Sequence, residues 1–349
     1  MVAKELVLDA SRNVTLTAYL QAVGGKFNYV PRRPAVLILP GGGYQYCSDR
    51  EADPVAFAYL KAGYQAFILR YSVAENSRWP APLLDVDQAM GMIRENAQEW
   101  GVYPDKIAVI GFSAGGHLAA ASATMGMQRP NAAILGYAVS GEDVKSCSLS
   151  APDCNAMVDA KTCPCFIFAA RDDGLVPVRN SIGFMQALTE HGVTFESHIY
   201  SYGGHGFSTA ENAVQNPLKA RSGRVKNWVE DSIGWLGEIF GVYDGEGGMT
   251  QPPVKGHVTG DYEPYLSADC TVGKLYEVPE ARAVVEPIMN SMRIDSTSEE
   301  PLSEEESEET LNAVRDMTFR NVLGFAGAPA AAVDKLDEKL KAIANLQAV

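Results

Sequence analysis

The chain has 349 residues, 46% of them hydrophobic and 21% charged, which suits a folded globular chain with a large core and one or two domains. Its net charge of −14 excludes the basic footprint that nucleic acid or an anionic membrane surface requires, so neither is expected as a partner. The charge is uneven: residues 1–244 carry −4 and residues 245–349 carry −10. Met1 to Ala10 holds no apolar signal-peptide core, and no 18-residue apolar run suggests a membrane span. The expected location is therefore cytoplasmic, or extracellular if a signal has been removed.

From the N-terminus, Val14 to Leu20 alternates as a strand. Ala35 to Leu39 is a short apolar run, as a strand buried on both faces requires, and it stops at Pro40-Gly41-Gly42-Gly43. Pro54 to Ala62 predicts a helix, Gln65 to Tyr71 a strand, and Pro82 to Glu99 a helix with Leu84, Val86, Met90 and Ile93 as its apolar positions. Ile107 to Gly111 is the next strand and Ser113 to Met125 an Ala-rich helix. Ala132 to Val139, Phe166 to Ala170 and Phe195 to Tyr200 complete the strands; Ser181 to Glu190 and Val225 to Phe240 complete the helices. Strands alternating with helices predict an α/β chain with a mostly parallel sheet covered on both faces.

After residue 244 the pattern changes. Gly245 to Gly260 is rich in Gly and Pro and reads as a linker. Ala281 to Met289, Glu304 to Val314 and Ala331 to Ala344 read as helices of a small acidic module spanning 261–349. Ser303 and Glu306 form a candidate capping box, and Asp295 to Glu309 holds eight acids and no base. The apolar positions Leu311, Val314, Leu336 and Leu340 need cover, from one another, from the first domain or from a second subunit. The module is thus a candidate for docking or homo-oligomerisation. The six cysteines include four between 147 and 165, but they lack C-x2-C spacing and a neighbouring histidine. Buried free thiols are expected, and no metal.

Four motifs carry chemistry. Gly111-Phe112-Ser113-Ala114-Gly115 fits G-x-S-x-G between a buried strand and a helix, where a sharp turn lifts the serine hydroxyl above the sheet. The plain alternative is a helix N-cap serine. Pro40-Gly41-Gly42-Gly43-Tyr44 ends an earlier strand, and glycine N–H groups there can approach a developing oxyanion. Gly41 and Gly42 are the first choices as donors beside Ala114, with Gly43 next to them. The loop lacks the Lys-Ser/Thr of a phosphate-binding P-loop. Arg171-Asp172-Asp173-Gly174-Leu175-Val176-Pro177 offers two aspartates, one of which should orient a histidine. Gly203-Gly204-His205-Gly206-Phe207 offers that histidine, with glycines on both sides. Tyr44, Tyr46, Tyr71 and Trp79 are candidates for the pocket wall, and His117 for packing beneath the site.

These stretches, with Asp105 to Leu118, resemble the acetyl-esterase branch of the α/β-hydrolases, which includes xylan acetyl esterases and some feruloyl esterases. The resemblance covers residues of about 30 to 240. It implies an α/β-hydrolase fold and a serine carboxylic-ester hydrolase with Ser113 as nucleophile, His205 as base and Asp173, by its Asp-x-x-Val-Pro spacing, as the orienting acid. It implies no metal or organic cofactor and a small-molecule or oligosaccharide ester as substrate. Many such esterases carry histidine where Pro40 stands. The bulky aromatics beside the glycine loop predict a preference for short acyl groups, acetyl before octanoyl; the sequence does not choose between acetyl and feruloyl, and a feruloyl esterase is an alternative reading. A prolyl-oligopeptidase-like peptidase and a non-catalytic binding protein on the same fold are the rival readings.

Overall fold

One alternating segment, a set of continuous apolar runs and two more polar edge segments produce the eight strands of one sheet in this computed structural model, which describes residues 1–216, 222–291 and 304–346. The strands are β1 (Val2–Asp9), β2 (Val14–Leu20), β3 (Arg33–Leu39), β4 (Gln65–Arg70), β5 (Val102–Phe112), β6 (Ala132–Gly136), β7 (Cys165–Ala170) and β8 (Phe195–Tyr200). They lie in the order β1-β2-β4-β3-β5-β6-β7-β8. β2 is antiparallel to both β1 and β4; every later pairing is parallel. The expected series lacked β1. An edge strand needs no buried apolar face, and the side chains of Val2 to Glu5 are exposed, so the hydrophobic signal there is weak.

The central strands sort their side chains to two cores. Leu37 and Leu39 of β3 pack with Met90, Leu118 and Leu188, from α2 (Ala81–Glu95), α3 (Ala114–Met125) and α4 (Arg179–Glu190). Val36 and Ile38 face the other way, toward Tyr59, Trp228 and Leu236 from α1 (Asp53–Lys61) and α5 (Trp228–Phe240). A sheet covered on both faces leaves only its strand ends open, and the four motifs follow the C-terminal ends of β3, β5, β7 and β8. Several boundaries differ from expectation: β5 already starts at Val102, and α5 starts only at Trp228. α2 stops at Glu95, and β6 stops at Gly136 because Tyr137 turns to φ 35°. No helix among the described residues is long and apolar enough to cross a membrane.

The chain divides into two compact units, Met1–Gly256 and His257–Val349. Most of the stretch read as a linker therefore belongs to the first unit. Asp244 closes a glycine turn by accepting from the N–H groups of Glu246 and Gly248. Thr250 N–H then donates to Val242 (2.8 Å), Val254 N–H to Glu238 (3.3 Å) and Thr194 N–H to Gly256 (2.9 Å). The second unit holds α6 (Val272–Glu277), α7 (Pro279–Ser291), α8 (Glu304–Val314), α9 (Phe319–Phe325) and α10 (Ala330–Lys341). Leu266, Leu275, Val285, Phe319, Leu336 and Leu340 form its own core, with Leu311 and Val314 packed against it. The short helices α6 and α9 were not expected. They are too brief for a periodic signal, but Thr271 and Thr318 cap them by accepting from Lys274 N–H and Asn321 N–H. Ser303 and residues 295–302 of the acidic run lie outside the described residues.

Because each unit has its own core, a chain ending at Gly256 should fold and unfold cooperatively. A chain ending at Tyr243 gives up the three backbone hydrogen bonds made by residues 250–256 and two more, from Val242 N–H to Thr250 Oγ1 (3.0 Å) and from the Thr194 hydroxyl to the Lys255 carbonyl (2.6 Å), and should melt several degrees lower, at roughly 1 kcal/mol per lost bond. Equal melting temperatures for the two would show that these bonds contribute nothing.

Candidate active site

β5 ends at Phe112 and α3 begins at Ala114, so Ser113 alone makes the turn. It adopts φ 53° and ψ −117°, a conformation costly for a side-chain-bearing residue. Its N–H donates to Gly136 (2.9 Å), and its carbonyl accepts from His117 N–H (3.0 Å). The turn is possible only without side chains on either flank. A Cβ on Gly111 would stand 2.1 Å from the carbonyl oxygen of Gly115, and one on Gly115 would stand 2.1 Å from that of Leu39.

The other two motifs deliver an acid and a base. His205 Nε2 lies 2.9 Å from Ser113 Oγ, and its Nδ1 lies 2.7 Å from Asp173 Oδ2. A carboxylate only accepts, so Nδ1 carries the proton and Nε2 presents its lone pair to the serine. Asp173 is held by its own loop: Oδ1 accepts from Leu175 N–H (2.8 Å) and Val176 N–H (2.9 Å). Its side chain is 1% exposed, against 18% for His205. The neighbouring Asp172 turns elsewhere and accepts from Gly203 N–H (2.8 Å) and Gly204 N–H (2.9 Å), fixing the loop that carries the histidine. Downstream, Ser208 N–H donates to Tyr137 Oη (3.1 Å), its hydroxyl to the Arg50 carbonyl, and Trp228 Nε1–H to its carbonyl (2.8 Å).

The glycine loop corrects one expectation. Gly41 N–H is not free for an oxyanion, because it donates to the buried Glu51 Oε2 at 2.8 Å. The N–H groups of Gly42 and Ala114 have no acceptor among the described residues, and both residues line the cavity at Ser113. Gly42 has φ +136°, and a Cβ there would meet the Tyr46 carbonyl oxygen at 2.1 Å, so glycine is required. This leaves Gly42 and Ala114 as the candidate donor pair, and Gly43 stands in the cavity wall.

That cavity, about 410 Å³, is lined by Tyr46, Ser48, Arg50, Glu51, Val139, Ser146, Cys147, Leu175 and Val176 beside the residues already named. Three expected wall residues lie elsewhere. Tyr44 is fully buried, and its hydroxyl bonds His117 Nδ1 at 2.7 Å. Tyr71 is buried and donates to the Pro40 carbonyl at 2.6 Å. Trp79 packs its ring on His117 at 5.6 Å. Large aromatics beside a glycine loop supply its foundation, since a bulky ring gains most by full burial. The argument for short acyl groups from Tyr44 therefore falls. Leu175 and Val176 were legible only as part of the aspartate motif, and no periodicity pointed to Glu51, Ser146 or Cys147. All six cysteines are free, four of them buried.

His117 is buried as expected. The Pro152 carbonyl can only accept, so Nε2 donates to it (2.8 Å) and Nδ1 accepts from Tyr44. Burial pushes its pKa down to about 4.

Comparisons with known proteins agree with the α/β-hydrolase fold. The BD-FAE family model matches residues 28–131. An acetylxylan esterase of Xylanibacter ruminicola is 30% identical over 233 residues, covering 59% of this chain and 48% of that one. The chain thus spans about half the length of that curated relative. Among solved structures, MGS-M1, an α/β-hydrolase enzyme from a Medee basin deep-sea metagenome library, is 41% identical with a TM-score of 0.65, covering 68% of this chain and 98% of that one. An acetyl ester-xyloside bifunctional hydrolase from Caldicellulosiruptor lactoaceticus is 31% identical with a TM-score of 0.57, covering 65% and 89%.

The buried imidazole sets a pH dependence. Unfolded, His117 takes a proton near 6.5; folded, it resists to about 4. Between these values the unfolded chain binds more protons, so the stability due to neutral His117 is complete above pH 6.5 and is lost as pH falls toward 4. Urea-unfolding free energies should fall across that window by roughly 1–3 kcal/mol, and the slope should flatten in His117→Gln. Parallel curves for the two proteins would assign the effect to another group.

Proposed function

The chain belongs to the α/β-hydrolase family, and from that membership we infer that it is a serine carboxylic-ester hydrolase that removes acetyl groups from carbohydrate such as xylan or xylo-oligosaccharides. The observation that carries the reading is the run of hydrogen bonds from Asp173 through His205 to Ser113, 2.7 and 2.9 Å long, opening on a cavity. The acetyl group and the carbohydrate are supported by the names of the relatives from Xylanibacter and Caldicellulosiruptor.

In this mechanism His205 Nε2 takes the Ser113 proton as the oxygen attacks the ester carbonyl. Asp173 holds the ring in the required tautomer and stabilises the imidazolium that forms. The carbonyl oxygen gains negative charge within reach of the Gly42 and Ala114 N–H groups, at the N-terminus of α3, where the helix dipole also favours an anion. The imidazolium then protonates the leaving alcohol. Water, deprotonated by the same nitrogen, releases the acid and restores Ser113.

Ser113→Ala and His205→Ala should each reduce hydrolysis of p-nitrophenyl acetate to below a few per cent with unchanged circular dichroism. Retained activity in either would remove the triad. Asp173→Asn should lower kcat by about 10⁴, as loss of the correct histidine tautomer does in serine proteases. Asp172→Asn should cost far less, since it holds the loop and not the ring.

The substrate is tested with p-nitrophenyl esters of rising chain length, acetylated xylo-oligosaccharides and methyl ferulate. Acetyl esters should turn over faster than octanoyl esters, and the oligosaccharides should lose acetate. Faster cleavage of methyl ferulate would move the assignment to a feruloyl esterase.

A further inference from the structure

Glu51 is a carboxylate buried at 3% exposure in the wall of the catalytic cavity, and the mechanism above does not use it. No ion pair engages it among the described residues, so its burial is costly unless its oxygens do something specific. Each oxygen accepts one donor: Oε2 from Gly41 N–H at 2.8 Å, Oε1 from Tyr137 O–H at 2.6 Å. The two donors come from different loops.

The first donor lies in the glycine loop. The peptide between Pro40 and Gly41 is held at both ends, its carbonyl by Tyr71 O–H and its N–H by Glu51. The next peptide is held by its carbonyl alone, as Gly41 O accepts from Ser48 N–H at 2.9 Å. In a trans peptide the N–H points opposite to the carbonyl. Gly42 N–H is therefore left as the donor, and its direction follows from the two planes. The second donor belongs to the histidine side. Tyr137 Oη accepts from Ser208 N–H at 3.1 Å, and the Tyr137 ring packs edge-on against the His205 imidazole at 5.0 Å.

Resting on the esterase reading, we propose that Glu51 is a positioning residue that locks the oxyanion loop to the histidine loop through Tyr137, so that the Gly42 donor and the His205 base are aligned on the same carbonyl. A carboxylate suits the task because both partners are donors and it offers two acceptor oxygens, where glutamine offers one. Burial raises the Glu51 pKa, and the two donors act against that rise. Burial likewise keeps the Tyr137 phenol protonated, as a donor must be.

The test uses the full chain and p-nitrophenyl acetate. Glu51→Ala should lower kcat by about 10²-fold, the range seen for losing one oxyanion donor, with KM within about threefold. Glu51→Gln keeps the shape and one acceptor, so it should recover to within about tenfold of the parent. Tyr137→Phe should lower kcat by about tenfold alone and by less than about twofold in the Glu51→Ala background, since both act through one bridge. Affinity for a short trifluoromethyl ketone, whose serine adduct carries the oxyanion, should fall in parallel with kcat/KM. Glu51→Ala with near-parental kcat, or losses that multiply in the double variant, would overturn the proposal. Fluorophosphonate labelling of the parent separates the two readings: an unlabelled Ser113 sinks the esterase assignment, while labelling with an indifferent Glu51 sinks only this one.

Discussion

The site depends on one close approach of backbones. The turn at Ser113 presses against the end of β3, so near that Gly115 cannot carry a side chain, and the turn itself is so tight that Gly111 cannot carry one against the Gly115 carbonyl. This contact brings Ser113, the N-terminus of α3 and the glycine loop to the wall of one cavity. The parallel sheet makes the approach possible, because β3 and β5 are neighbours in register and end together, Leu39 opposite Gly111. The costly dihedrals of Ser113 persist because both of its backbone polar groups are bonded to structure that cannot move independently.

Carboxylates organise the rest, and each does so through donors from loop backbone. Asp173 is folded into its own turn before it meets His205. Asp172 gathers the glycines ahead of the histidine, and Glu51 gathers the glycine loop. Loops rich in glycine lose much conformational entropy on ordering and carry no side chains with which to hold themselves. An acidic side chain supplied from elsewhere is a direct way to fix them. Two adjacent aspartates can thus share a motif and have separate duties.

Much of this was legible in the sequence. Buried parallel strands show as continuous apolar runs, and the order Ser113, Asp173, His205 needs only chain position. What escaped had physical reasons. The partly polar edge strand β1 buries little, and α6 and α9 are shorter than the period that would reveal them. Tyr44 and Tyr71 stand beside the glycine loop in sequence, but neighbours along a turning chain diverge in space, and both rings are buried behind it. Gly41 looked as good a donor as Gly42 because sequence cannot show which way a peptide plane faces. That direction depends on Glu51, ten residues on.

The strained serine has a consequence for how this protein comes into being. Nothing local favours φ 53° at Ser113; before β3, β5 and α3 have docked, residues 111–115 will prefer a relaxed turn with the hydroxyl misdirected. On the proposed mechanism the nucleophile is therefore made last, by tertiary assembly. A nascent or half-folded chain carries a harmless serine, and its reactivity arrives together with the completed sheet.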